Sequence, residues 1–243
     1  MKLIASKIKI PTETPLVCRQ GLLDTLRENL ESCHATVING RAGTGKTMLA
    51  VDFVRRNARL AAWYKVDAPD LSLPVFMEYL VASVACMRPG FGRQTMERLA
   101  RSYKKGGEEG GEFDIAGLAE AFVYDLERLA EPLVLVIDDL HLIYDADWVA
   151  PFFHRLLPLL PAETHMLILG RGLPPAPMWR LRSKQRLFVI NEHMLAFTRT
   201  EAEELFSLYG LGAEEASLAL ERTGGRAAGL HAAAVRAFAA LDT

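Results

Sequence analysis

GRAGTGKT, residues 40–47, stands directly behind the apolar run ATVIN at 35–39. Three glycines among small residues let a backbone turn tightly around a compact anion with its N–H groups pointing inward. KTMLAVDFVRRN, residues 46–57, then reads as a helix. The pattern G-x-x-x-x-G-K-[ST] is met by Gly40, Gly45, Lys46 and Thr47, with a strand before it and a helix after it. That context predicts a polyphosphate cradle, to which the helix adds unpaired N–H groups and a positive dipole end. Lys46 would neutralise the β- and γ-phosphates, and the Thr47 hydroxyl would hold Mg²⁺. The candidate nucleotide-binding segment is therefore Gly40, Arg41, Ala42, Gly43, Thr44, Gly45, Lys46 and Thr47, with Met48 behind them.

A second stretch supplies what such a loop needs. LVLVIDDLHLI, residues 133–143, puts two adjacent aspartates at the end of the most apolar run in the chain. Neighbouring carboxylates at a strand end are costly to bury unless a cation or a hydrogen-bond network offsets them. Asp138 is the candidate metal anchor, and Asp139 the candidate base that orients or deprotonates the attacking water. HMLILGR, residues 165–171, ends another apolar strand in Arg171. In a parallel sheet, ligands sit at the carboxyl ends of the strands, so Arg171 is a candidate contact for a γ-phosphate. His141 is expected to pack or cap beside the site rather than to ligate metal.

The remaining chain frames these motifs. With 243 residues, half of them hydrophobic, it can bury a substantial core. The 28 basic and 30 acidic residues nearly cancel, which gives no sign of nucleic acid or an anionic membrane as partner. The longest apolar runs fall short of the roughly 20 residues of a membrane span. Cys18, Cys33 and Cys86 are odd in number and widely spaced, as expected for reduced thiols in a cytoplasmic protein. Helices are expected at 20–33, 46–57, 74–87, 114–130 and 147–160, alternating with apolar strands at 35–39, 60–67, 133–138, 165–170 and 187–191. That alternation argues for a parallel sheet covered by helices on both faces. KKGGEEGGE, residues 104–112, reads as a mobile surface loop. From about residue 198 three short helices follow without strands. The expected organisation is an α/β domain over 1–197 and a small helical subdomain over 198–243.

In their order, these segments resemble the nucleotide-binding module of STAND NTPases, in the branch found in large ATP-dependent LuxR-type transcriptional activators. The likeness runs through PLVCR (15–19), the phosphate loop, AAWYKVDAPDLSLPVFMEYL (61–80), IDDLHLI (137–143), GRGLPPAPMWRLR (170–182) and LAFTRTEAEEL (195–205). It implies an α/β P-loop NTPase fold of the ASCE or AAA+ kind, with a sensor strand between the strands of the phosphate loop and of Asp138. It further implies ATP or ADP with Mg²⁺ as ligands, and a place near the adenine or ribose for Arg19. The family commonly carries Gly-Trp-Pro-x-Gly-Leu in its helical subdomain. GGRAAGL (224–230) stands there instead, with Arg226 and Ala227 in place of Trp and Pro.

The reading that follows is a slowly hydrolysing signal-transduction ATPase domain whose ATP form self-associates. It would work with C-terminal sensor and effector domains or a partner protein, without binding DNA itself. Two rival classes fit the same loop. A constitutive motor or loader ATPase would use Arg93, Arg101, Arg155 or Arg182 across a subunit interface. A non-hydrolysing interaction module would bind nucleotide without turnover.

Overall fold

The computed structural model describes residues 3–106, 113–172 and 186–241. Five strands form one parallel sheet: β1 (Ala35–Asn39), β2 (Leu60–Lys65), β3 (Leu133–Asp138), β4 (Thr164–Gly170) and β5 (Leu187–Ile190). Their spatial order is β2-β3-β4-β1-β5. β4 pairs with β1 on one side, Val37 opposite Ile168, and with β3 on the other, Ile137 opposite Ile168. The carboxyl ends of β3, β4 and β1 thus lie side by side, and each of the three motifs leaves the sheet there. The sensor strand sits between the other two, as the resemblance implied.

Both faces of the sheet are covered, which is why its central strands read as unbroken apolar runs. Alternate residues feed two cores. Leu133, Leu135 and Ile137 of β3 join Val37 and Ile168 under α3 (Leu73–Ala85), α5 (Ile115–Leu129) and α6 (Val149–Leu156). Val134 and Val136 join Ile38, Trp63 and Leu167 on the opposite face, under α1 (Gln20–Ser32) and α2 (Lys46–Arg56). The α1 helix turns Leu22, Leu23 and Leu26 inward.

One helix, α4 (Arg93–Gly106), is absent from the sequence reading. It carries Leu99 into the first core and Met96 against it, while Glu97 pairs with Arg93 and Arg101 along its exposed side. Charge pairs four residues apart support a helix with few apolar anchors. Its backbone takes in Lys104–Gly106, so the first three residues of the charged, glycine-rich stretch are helical rather than loop. The rest, 107–112, lies outside the described residues.

Three helices close the chain: α7 (Arg199–Ser207), α8 (Ala213–Thr223) and α9 (Ala227–Leu241). They surround a third cluster containing Phe206, Leu205, Leu230 and Ala234. Val17, from the segment before α1, packs into the same cluster.

His165, buried in β4, gives the fold a pH dependence. Its Nδ1 lies 3.0 Å from the Cys33 carbonyl and its Nε2 3.0 Å from the Thr36 hydroxyl. A carbonyl only accepts, so Nδ1 carries the proton and Nε2 accepts from Thr36. Burial, the main cause, pushes its pKa down from 6.5 to about 4. Between those values the unfolded chain binds a proton that the folded chain does not, so stability is full above pH 6.5 and declines as pH falls toward 4. Thermal unfolding midpoints should therefore fall more steeply between pH 6.5 and 4.5 in the parent than in His165→Gln. Equal slopes would show that His165 does not carry the acid sensitivity.

Candidate functional site

The loop after β1 runs from Gly40 to Gly45, and α2 begins at Lys46. Two glycines allow its path. Gly45 has φ +87°, and Gly43 has φ +76°, with a Cβ there landing 2.7 Å from the Ala228 Cβ. The Lys46 side chain is buried and turns back over the loop, its Nζ donating to the carbonyls of Gly40 at 2.6 Å and Arg41 at 2.9 Å. Burial lowers the Lys46 pKa; the charge of Asp139 opposes that shift and the charge of Arg171 adds to it. Thr47 faces the end of β3, its hydroxyl donating to Asp138 Oδ2 at 3.2 Å.

Asp138 is almost fully buried, and the Thr47 hydroxyl is its one side-chain donor among the described residues. Desolvation first, and then the charge of Asp139, raise its pKa to about 6. Asp139 adopts φ +59°, a left-handed conformation that short polar side chains tolerate best. Its Oδ1 lies 3.8 Å from His141 Nδ1. His141 Nδ1 and the Tyr144 hydroxyl are buried without a hydrogen-bond partner among the described residues. Both residues pack against Gly170 at the end of β4, where an added Cβ would come within 3.1 Å of the Tyr144 hydroxyl. Arg171 follows in the exposed turn, close enough for its charge to lower the pKa values of both Lys46 and His141.

The sheet thus brings Lys46, Thr47, Asp138, Asp139 and Arg171 together at the carboxyl ends of three adjacent strands. Arg19 lies elsewhere. It is buried at the start of α1, donating to the carbonyls of Leu195 at 2.9 Å and Ala196 at 3.0 Å, with Glu201 at 3.3 Å and the Phe197 ring 4.5 Å away. It therefore ties the segment before α1 to the lead-in of α7. It also lines an apolar cavity of about 420 Å³ beside the loop, shared with Val17, Met48, Phe197 and Ala227. Of the arginines considered for a subunit interface, Arg93 and Arg101 pair with Glu97, and Arg155 with Glu120. Arg182 lies outside the described residues.

Two residues beside the loop escaped the sequence reading of the site. Glu192, just past β5, accepts from the Arg41 backbone N–H at 2.9 Å and from its Nε at 2.7 Å. Arg226, just before α9, donates to the Ala42 carbonyl. No local pattern marks Glu192, since its contact depends on β5 lying beside β1. Arg226 was visible only as a departure from the resembled family.

The residues fit a magnesium ion. Asp138 and Thr47 converge, a second carboxylate adjoins them, and the Asp138 carboxylate is buried at the end of β3. Among the described residues no group of three or more His, Cys, Asp or Glu side chains could hold a metal ion. Mg²⁺ keeps several waters and takes one or two protein ligands plus phosphate oxygens, and Asp138 with Thr47 can supply such a pair.

A parallel sheet of this strand order, with a glycine-rich phosphate loop and an acidic strand end, defines a P-loop NTPase. The chain belongs to the AAA ATPase domain family, whose model matches residues 15–169. It is similar to the HTH-type transcriptional regulators MalT of Serratia proteamaculans and Yersinia enterocolitica, each 29% identical over 205 residues. Those matches cover 84% of this chain and 22% of either regulator, so the chain spans about a fifth of the length of these relatives. Among solved structures, the fold resembles a STAND protein with a tetratricopeptide repeat sensor from Pyrococcus horikoshii, with a TM-score of 0.58 and 20% identity over 88% of this chain and 29% of that one. A Walker-type ATPase of Pyrococcus abyssi gives a TM-score of 0.54 and 11% identity, over 96% and 75% of the two chains. Together these findings make the chain an AAA-type P-loop NTPase domain that is similar to part of the MalT regulators. No described helix is long and apolar enough to cross a membrane.

Proposed function

We propose that this domain binds ATP with Mg²⁺ and hydrolyses it slowly, acting as the nucleotide-dependent switch of a transcriptional regulator. The observation that carries the reading is the convergence of Lys46, Thr47 and Asp138 at the ends of β1 and β3, with Arg171 at the end of β4 between them. In this reading Lys46 exchanges the Gly40 and Arg41 carbonyls for phosphate oxygens. Thr47 and Asp138 hold Mg²⁺, which supplies neutralisation of charge on the phosphates when bound. Asp139 takes the proton of the attacking water. The apolar cavity beside the loop receives the base, with Arg19 fixing its wall. The sheet domain over 1–197 forms the nucleotide site, and the helical part over 198–243 closes it. ATP-dependent self-association and C-terminal sensor and effector domains belong to the same proposal, since the similar regulators are about four times as long.

A switch needs an interaction that differs between its two ligands, because a nucleotide shifts an equilibrium only by its differential affinity. Arg171 is that reader: exposed at the strand end, it can reach an oxygen that ATP has and ADP lacks. Arg171→Ala should reduce the difference between ATP and ADP affinities severalfold while leaving ADP binding nearly as in the parent. Turnover in the parent should stay well below the ~10 per second of dedicated enzymes. Both dissociation constants, measured in parent and variant beside steady-state hydrolysis, test this. An unchanged ATP/ADP ratio removes Arg171 from the mechanism, and rapid turnover by a stable ring independent of ATP would favour the motor reading.

A further inference from the structure

We propose that Arg226 is a positioning residue for phosphate binding: from outside the loop it holds the Ala42–Gly43 peptide so that the Gly43 N–H faces inward. The inference rests on the reading of this loop as a phosphate site and assigns a new part of that site to the helical end of the chain.

Arg226 donates to the Ala42 carbonyl through Nη2 at 2.6 Å and Nε at 3.0 Å. Two residues on, the Ala228 N–H donates to the Gly43 carbonyl at 2.9 Å. A trans peptide is planar, so the C=O of one residue and the N–H of the next point in opposite directions. Fixing the carbonyls of Ala42 and Gly43 toward α9 therefore turns the N–H groups of Gly43 and Thr44 to the loop's other face. A peptide flip there would break two donors at Ala42 or one at Gly43.

The neighbouring peptides are fixed as well. Glu192 holds the Arg41 N–H outward, which turns the Gly40 carbonyl to Lys46 Nζ. The Arg41 carbonyl accepts from Lys46 Nζ and from the Thr44 hydroxyl. Four successive peptide planes thus have named partners, and those of the third and fourth come from the segment 226–228.

That segment is itself anchored. Gly224 and Gly225 turn the chain with φ +59° and +74°, and the Phe197 N–H donates to the Gly225 carbonyl at 2.8 Å. The close approach of Gly43 to Ala228 leaves no room for slack between loop and helix. Ordering a backbone residue costs roughly 1–2 kcal/mol. A loop already held in its inward-facing form does not meet that cost when phosphate arrives. By linkage, a phosphate that engages these amides strengthens the docking of α9 to the same degree. Arg226 thereby joins loop occupancy to the placement of the helical part.

The test uses the chain with Arg226→Ala and Arg226→Lys, with Mg-ADP and adenosine as probes. Arg226→Ala should weaken Mg-ADP roughly three- to tenfold, the range for an exposed charge-assisted pair, and leave adenosine affinity unchanged. Arg226→Lys keeps the charge but not the fork, so it should recover only part of that loss. In the ligand-free chain, amide exchange at Gly43 and Thr44 should speed up in Arg226→Ala. Unchanged Mg-ADP affinity, an equal loss for adenosine, or full recovery by lysine would each overturn the proposal. If the parent bound no nucleotide, the ATP-binding reading would fail, and unchanged exchange at the two amides would overturn this inference separately.

Discussion

Lys46→Ala loses ATP binding, with affinity falling at least a hundredfold in calorimetric titrations with Mg²⁺ present. The ammonium is buried at the loop, within reach of the carbonyls of Gly40 and Arg41. Moved onto a phosphate, a unit charge about 4 Å from its partner is worth about 4 kcal/mol at an effective dielectric near 20, roughly a thousandfold. Two effects reduce that figure. The lysine surrenders two hydrogen bonds when it moves, and the loop N–H groups and helix end still attract the anion. A hundredfold loss is what remains after both. The fold should survive, because β1 and α2 are held by the cores on either side rather than by Nζ. A thermal midpoint within a few degrees of the parent separates loss of binding from loss of structure. Unchanged ATP affinity in a folded variant would sink the assignment of this loop as a phosphate site.

The parts of the fold legible in sequence were those written in local patterns. ATVIN followed by GRAGTGKT fixes a strand, a loop and a helix within 20 residues, and LVLVIDD shows by its unbroken apolar run that its strand is covered on both faces. The side-by-side order of β3, β4 and β1 was reachable only through the family resemblance, since strand order depends on long-range pairing that no window of sequence contains. Helix α4 was missed because among its described side chains Met96 and Leu99 are the apolar anchors, and its charge pairs read equally well as solvated surface. The contacts that shape the loop from outside were hidden for a different reason. Glu192 and Arg226 lie 151 and 184 residues from their partners in the loop, and neither belongs to a local motif. Arg19 shows the limit of carrying a residue over from a family. The resemblance put it near the adenine or ribose, whereas in the structure its guanidinium is engaged by the carbonyls of Leu195 and Ala196 and by Glu201.

Asp139→Asn keeps ATP bound and reduces hydrolysis by about 10²–10⁴-fold, the contribution of a positioned general base. The substitution is chosen for what it preserves. Asp139 has φ +59°, and asparagine occupies that left-handed region as readily as aspartate, so the turn into 140–143 should persist. Alanine would add backbone strain of about 1–2 kcal/mol at the same place and confuse the two effects. Asparagine also retains a side-chain oxygen at the 3.8 Å spacing from His141, so orientation of a water is kept while the capacity to take its proton is lost. ATP affinity should not fall. The charge of Asp139 is one of the causes raising the pKa of Asp138, so its removal leaves Asp138 more readily ionised beside Thr47. The same charge supports the protonated form of Lys46 against the lowering effect of burial, and the backbone N–H groups of the loop do not depend on it. Single-turnover hydrolysis with protein in excess over ATP measures the chemical step without product release, and equilibrium binding of ATP measures the rest. Parental hydrolysis in Asp139→Asn would make Asp139 a residue of the turn alone. Loss of binding together with hydrolysis would place it with Asp138 in holding the cation.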